Sequence, residues 1–97
     1  MSAPIADPIF SLMGCSYRRD RYAKAGDVLP QHSHDFDHGV YVERGSARMS
    51  WFNPNYDAVL RADEGSAAIF RRGRVHAVTA LEDKTVVMTI LPAQPIG

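Results

Sequence analysis

The sequence has a single cysteine, Cys15, so no disulfide can form within its 97 residues. This usage is typical of a reducing compartment, and we expect the protein to be cytoplasmic. No apolar run approaches the ~20 residues that a membrane span needs, and the N-terminus lacks the basic start of a signal peptide. Eleven basic and eleven acidic residues cancel. The composition therefore favours neither a nucleic acid nor a membrane surface as a partner.

Sustained helical periodicity is also missing. The chain instead contains about seven short segments that are rich in Val, Ile, Thr and aromatic residues and are separated by Gly or charged turns. This pattern predicts an all-β protein, with an antiparallel sandwich or barrel. We expect one domain over residues 1–97, with 1–14 as an N-terminal arm. A core this small favours association with a second copy, so we expect a homodimer.

Two turns are predicted from glycine positions. Residues 26–31 contain Gly, Asp and Pro and are expected to form a turn before the first histidines. Gly45 is expected to take a positive φ in a tight turn. Residues 47–52 then read as the return strand of a hairpin, and closing the sheet into a barrel would remove exposed strand edges.

The four histidines are clustered. His32, His34 and His38 lie within seven residues, and His76 lies in a later strand. Residues i and i+2 of a strand share a face, whereas His38 would be ~13 Å from His34 in a straight strand. We therefore expect a turn that returns His38 on the adjacent strand, with His76 arriving from a third strand. One histidine alone is more often a core or surface residue, but this clustering favours a metal site.

Two segments carry a resemblance to a known family. Residues 26–45, GDVLPQHSHDFDHGVYVERG, resemble the first cupin motif, G-x5-H-x-H-x(3,4)-E-x6-G. Residues 65–80, GSAAIFRRGRVHAVTA, resemble the second, G-x5-P-x-G-x2-H-x3-N. There are three departures: His38 stands in place of the usual glutamate, Arg71 in place of the turn proline, and Ala80 in place of the asparagine.

The resemblance implies a small single-domain cupin, with an antiparallel jelly-roll β-barrel. It implies that His32, His34 and His76 bind a divalent metal ion, and His38 makes this a four-histidine variant. Imidazole ligands suit iron(II), nickel, copper or zinc. Four neutral imidazoles leave the site at +2, which favours an anionic small-molecule ligand.

The pocket wall is expected to consist of apolar side chains that share strand faces near the histidines: Val40, Val42, Met49, Trp51 and Val78. Asp35 and Asp37 are expected either to orient a histidine N–H or simply to form the turn.

Three functions remain open on this sequence. The first is a mononuclear metalloenzyme, dioxygenase-like or using other metal-assisted chemistry on a small oxygenated molecule. The second is a small-molecule binding or sensor module without chemistry. The third is a structural metal site that stabilises a thin core. The fold alone does not choose among them.

Overall fold

The computed structural model describes residues 2–52 and 57–92. Within these ranges the chain forms β-strands and no helix. The strands are β1 (Ile5–Ala6), β2 (Phe10–Leu12), β3 (Cys15–Tyr22), β4 (Val28–His32), β5 (His38–Arg44), β6 (Ser46–Phe52), β7 (Asp57–Asp63), β8 (Ala67–Phe70), β9 (Val75–Ala80) and β10 (Thr85–Leu91). Accordingly, the described part of the chain contains no helix able to cross a bilayer.

The strands form two antiparallel sheets. The first has the order β3-β10-β5-β8, with β1 and β2 both pairing along the free edge of β3. The second has the order β4-β9-β6-β7. The prediction of an all-β antiparallel jelly roll is confirmed. The two sheets stay separate over the described residues instead of closing into one hydrogen-bonded barrel, and they pack as a sandwich.

The core lies between the two sheets. Alternation along β5 buries Val40 and Val42, as the two-residue period predicted. The facing sheet contributes Met49, which is fully buried, and Val78, which is 3% exposed. Because both inner faces contribute to one cluster, this core holds the two sheets together.

Gly45 marks the point where the chain leaves one sheet for the other. It separates β5 from β6 and has a φ of 81°, as the predicted turn required. A Cβ at this position would lie 2.5 Å from Thr85 Oγ1, so the close approach also requires glycine. The predicted hairpin is wrong, since β5 pairs with β10 and β8, whereas β6 pairs with β9 and β7. The turn is a corner between layers.

Two predicted boundaries move. The expected arm is docked, because β1 and β2 add to the edge of β3. The turn predicted over residues 26–31 ends at Asp27, and β4 begins at Val28. Pro30 is tolerated within β4 because this is an edge strand and its pairing with β9 is irregular between Leu29 and His32. The sequence Asn-Pro-Asn at residues 53–55, which predicts a break after the strand 47–52, lies outside the described residues.

Candidate metal centre

His32 and His76 face each other across a strand pair. His32 is the last residue of β4 and is in register with His76 of β9. Their ring centroids are 4.3 Å apart. His76 is 1% exposed, whereas His32 lies closer to solvent. The pairing of an edge strand with its neighbour thus places two imidazoles together at the end of the sandwich.

His34 and His38 reach the same place by different routes. His34 lies beyond β4, in the connection to β5, and its ring stacks on Phe36 at 5.1 Å. His38 is the first residue of β5, so it comes from the opposing sheet and not from the adjacent strand that the sequence predicted. Its ring centroid is 4.8 Å from that of His34 and 5.0 Å from that of His76. The four rings therefore form one cluster between the two sheets.

Backbone carbonyls orient two of the rings. His32 Nδ1 lies 2.7 Å from the carbonyl oxygen of Pro30, and His76 Nδ1 lies 3.0 Å from that of Arg74. A carbonyl oxygen only accepts, so each Nδ1 must carry the proton and donate it. This tautomer leaves each Nε2 with a free lone pair, which is the form that a metal ligand requires.

Neither Asp35 nor Asp37, which the sequence suggested for orienting a histidine, bonds to a histidine ring in the described part of the chain. Asp37 accepts a hydrogen bond from the backbone N–H of Arg72 at 2.7 Å and another from Arg71 Nη1 at 3.3 Å. It fastens the β8–β9 turn to the loop that carries His34, and the N–H of Gly73 adds a 2.8 Å bond to the carbonyl of His34. Asp35 makes no hydrogen bond to a histidine within the described ranges. The turn-forming alternative therefore describes Asp37.

Three ring nitrogens, one each from His32, His34 and His76, lie within 4.8 Å of one another. This group could hold a metal ion, and His38 lies just outside it. Among the described residues, two buried ring nitrogens, His76 Nε2 and His38 Nδ1, have no hydrogen-bond partner. A buried polar atom without a partner costs free energy, and a metal ion would supply the missing partner at His76 Nε2. The donor set therefore fits a divalent metal bound by imidazoles.

The cluster is electrostatically suited to stay neutral. The pKa of both His38 and His76 is lowered to about 4, mainly by burial and to a smaller extent by the neighbouring histidines, while the hydrogen bond to the Arg74 carbonyl opposes the shift at His76. Burial also lowers the pKa of His34, followed by the influence of His32 and of the Arg18 charge. Neutral imidazole is the form that binds metals, so these rings are available as ligands at neutral pH.

A cavity of about 10 Å³ lies beside the rings of His32, His38 and His76. Of the predicted wall residues, Val40 and Val78 line it. The other three are placed as follows: Val42 and Met49 are fully buried in the core, and Trp51 packs edge-on against Phe70 with centroids 5.0 Å apart. The cavity has room for about one water-sized group.

Sequence reasoning missed two residues here. Phe70 is 1% exposed and stacks on His76, with ring centroids 4.2 Å apart and ring planes at 21°. This contact covers one face of the His76 ring and restricts its rotation. Arg18 lines the cavity from β3, together with Thr89 of β10. Phe70 lies inside the second motif and could have been noticed there. Arg18 lies outside both motifs, so neither could have indicated it.

No family model and no curated protein sequence matches this chain. Solved structures do. A tryptophan-substituted variant of oxalate decarboxylase from Bacillus subtilis matches with a TM-score of 0.82 and 18% identity, over 100% of this chain. KdgF from Halomonas sp. matches with a TM-score of 0.75 and 19% identity, over 91% of this chain and 77% of its own. A cupin superfamily protein from Desulfitobacterium hafniense matches with a TM-score of 0.77 and 9% identity, over 94% and 78%.

This protein has the cupin fold. The resemblance seen in the two sequence motifs is thereby confirmed at the level of the fold. The chain spans only 27% of the oxalate decarboxylase chain, and the identities are below 20%. These neighbours consequently establish the fold of this chain alone, and its chemistry must be argued from its own residues.

Proposed function

We propose that this cupin holds one divalent transition metal ion through His32, His34 and His76, with His38 as a fourth ligand, and acts as a mononuclear metalloenzyme. One observation carries the proposal. Three ring nitrogens converge within 4.8 Å, in a place where no residue that the structure describes offers a hydrogen-bond partner to the buried Nε2 of His76. A structure stabilised only by packing would not favour such an arrangement.

His38 is proposed as the fourth ligand on two grounds. Its ring centroid lies within 5.0 Å of those of His34 and His76, and its buried Nδ1 has no hydrogen-bond partner in residues 2–52 and 57–92. Four neutral imidazoles leave the full charge of the metal on the site. Imidazole ligands are best suited to iron(II), nickel, copper or zinc.

The proposed chemistry follows from that charge. A divalent ion held here would polarise an oxygen ligand and, as redox-active iron(II) or copper, would support oxygenation by O₂, in a site where no protein carboxylate is proposed to bind the metal. Val40, Val78 and Phe70 keep bulk water away from one side of the cluster. We therefore propose dioxygenase-like or other metal-assisted chemistry on a small, oxygen-rich, anionic molecule. Oxalate decarboxylase, which shares the fold, is named for a substrate of this kind.

A binding or sensor module is the second candidate, and the size of the cavity favours it. About 10 Å³ beside the histidines admits one water-sized group, which is enough to bind one end of a ligand. In that case the metal would bind a metabolite without turnover. A structural ion would instead leave no exchangeable position.

Ligand access separates these functions. The metal-free protein is loaded with cobalt(II), copper(II) or nickel(II), and azide, glycolate and pyruvate are added in turn while the metal absorption is recorded. We expect each ligand to change the spectrum with saturation. Spectra that none of them changes would identify a closed, structural site and would overturn the enzymatic proposal. Turnover of a responsive ligand under oxygen then distinguishes an enzyme from a sensor.

We also propose that the protein is a homodimer. A row of apolar residues crosses the outer face of the first sheet in continuous register, from Phe10 through Tyr17, Ile90 and Gly39 to Ile69. Ile69 is 60% exposed and Phe10 is 42% exposed. A contiguous apolar row of this kind is suited to the same row of a second copy. A cytoplasmic location stays a prediction from the single cysteine.

A further inference from the structure

An arginine lies on the inner face of the sandwich. Arg18 of β3 is in register with Thr89 of β10, which is in register with Val40 of β5. Arg18, Thr89 and Val40 all line the cavity beside the histidines. The Arg18 side chain is only 25% exposed. Inner-face positions normally carry apolar residues, so a charged side chain at this one calls for a specific reason.

Asp20 holds this arginine in place. Its side chain is 4% exposed and accepts a hydrogen bond from Arg18 Nε at 3.3 Å. The two Nη groups of Arg18 make no hydrogen bond within the parts of the chain that the structure describes. A guanidinium donates in a planar fork that matches a carboxylate, and here one edge is fixed while the Nη groups remain available.

The charges around the cavity do not balance without a ligand. Under the proposed function a dipositive ion sits among the histidines, and Arg18 adds one positive charge next to the same cavity. Asp20 supplies one negative charge and leaves the site at about +2. Like charges in a partly buried site repel strongly, because the effective dielectric constant is well below that of water. An anionic ligand between the metal and the guanidinium would relieve this repulsion.

We propose that Arg18 is the specificity-determining residue of this site, and that it receives one oxygen of a ligand carboxylate whose other oxygen binds the metal. The ligand class is that of short organic acids, such as α-hydroxy or α-keto acids, and only their carboxylate end enters the cavity of about 10 Å³. The proposal rests on the metal site proposed above. Asp20 acts as a positioning residue, since it touches Arg18 and not the ligand.

The test compares ligands that need Arg18 with one that does not. Cobalt(II)-loaded protein is titrated with glycolate and, separately, with neutral imidazole, and dissociation constants are read from the visible absorption. In Arg18→Gln we expect glycolate to bind about 10–100-fold more weakly, because a charge-assisted hydrogen bond is lost. Imidazole should bind within about twofold of the parent. Arg18→Lys keeps the charge without the fork and should recover only part of the glycolate affinity.

Arg21→Gln is the matched control. Arg21 lies on the same strand but on its outer face, where it pairs with Asp7 at 3.0 Å and is 55% exposed. This variant should leave both dissociation constants unchanged. If Arg18→Gln does not fold, Arg18→Lys decides the matter, with a selective loss of glycolate affinity as the expected result.

The outcomes separate the two proposals. Suppose that glycolate and imidazole bind the parent, and that glycolate binds both Arg18→Gln and Arg18→Lys as tightly as it binds the parent. The role of Arg18 is then refuted, and the metal site stands. If cobalt(II) does not bind the parent, or no ligand changes its spectrum, the proposed function itself fails. If Arg18→Gln weakens glycolate and imidazole alike, Arg18 shapes the site in general and the specificity proposal is overturned.

Discussion

The metal-free protein should lose stability steeply as the pH falls from 7.5 to 5. Burial holds the pKa of His38 and of His76 at about 4 in the folded protein, against about 6.5 in the unfolded chain. Between these two values the unfolded chain binds protons that the folded protein excludes. Because the folded pKa is the lower one, the stability present above pH 6.5 is lost as the pH falls towards 4.

The magnitude follows from the two pKa values. At pH 5 each of these histidines is almost fully protonated in the unfolded chain and about one-tenth protonated when folded, which lowers the free energy of unfolding by about 2 kcal/mol. His38 is 4% exposed and His76 is 1% exposed, so solvent does little to screen this effect. The two together amount to about 4 kcal/mol. A domain of this size has about 5–10 kcal/mol in total, so the change is a large fraction of its stability.

The assay is urea unfolding in the presence of a chelator at pH 7.5, 6 and 5, followed by the fluorescence of Trp51, the single tryptophan. The measurement stops at pH 5 because burial raises the pKa of Asp20, whose protonation opposes the histidine effect at lower pH. His76→Gln removes one titrating group and should about halve the dependence on pH, whatever its stability at pH 7.5. A free energy of unfolding that is constant from pH 7.5 to 5 would show that His38 and His76 titrate alike in the folded and unfolded protein.

Two further predictions concern the fold and the assembly. Gly45→Ala should lower the free energy of unfolding by about 2–4 kcal/mol, because φ is positive at this position and the new Cβ would lie 2.5 Å from Thr85 Oγ1. Gly65→Ala is the control, since φ is also positive there but the Cβ would meet open space. It should lower the free energy of unfolding by about 1 kcal/mol. Equal losses in urea unfolding would show that contact with Thr85 is unimportant. Ile69→Asp should convert the proposed dimer to a monomer in light scattering, while Val59→Asp, at an equally exposed position on β7, should leave it intact. A parent protein that is monomeric at micromolar concentration would contradict the dimer outright.

The local part of the fold was predictable because it depends on local chemistry. The two-residue period placed His38, Val40 and Val42 on one buried face, and that is where they lie. Glycine at position 45 indicated a positive φ. The two motifs indicated the cupin fold, because their spacing records both the turns and the strand lengths between them.

The pairing of strands was not predictable in the same way. A glycine turn between β5 and β6 has the same sequence signature whether the chain folds back into one sheet or crosses to another. In the fold, Gly45 lies close to Thr85, far along the chain, and this non-local contact has no signature in the turn sequence. The same non-local step brings His38 to the histidine cluster from the opposing sheet.

The candidate site shows the same division. The spacing indicated which histidines could meet, and the structure brings their rings together. The groups that orient His32 and His76 are backbone carbonyls, which every residue carries and which the sequence therefore does not mark. For this reason the sequence suggested the nearby aspartates as the orienting groups. Arg18 lies in a strand whose alternation is weak in sequence, and its position beside the histidines depends on the order of β3, β10 and β5.

The central claim is that the histidine cluster binds one metal ion per chain. The most direct test is calorimetric titration of the chelator-treated full chain, purified without an affinity tag, with nickel(II), and in parallel of His34→Ala, His38→Ala and the control Asp63→Asn, whose side chain is 68% exposed at the end of β7. We predict one site per parent chain, unchanged stoichiometry in Asp63→Asn, and at least a ~100-fold loss of affinity in His34→Ala, with a smaller loss in His38→Ala. Unchanged affinity in His38→Ala alone would reduce the ligand set to three. A parent chain with no saturable site, or one whose affinity does not depend on His34, would contradict the account.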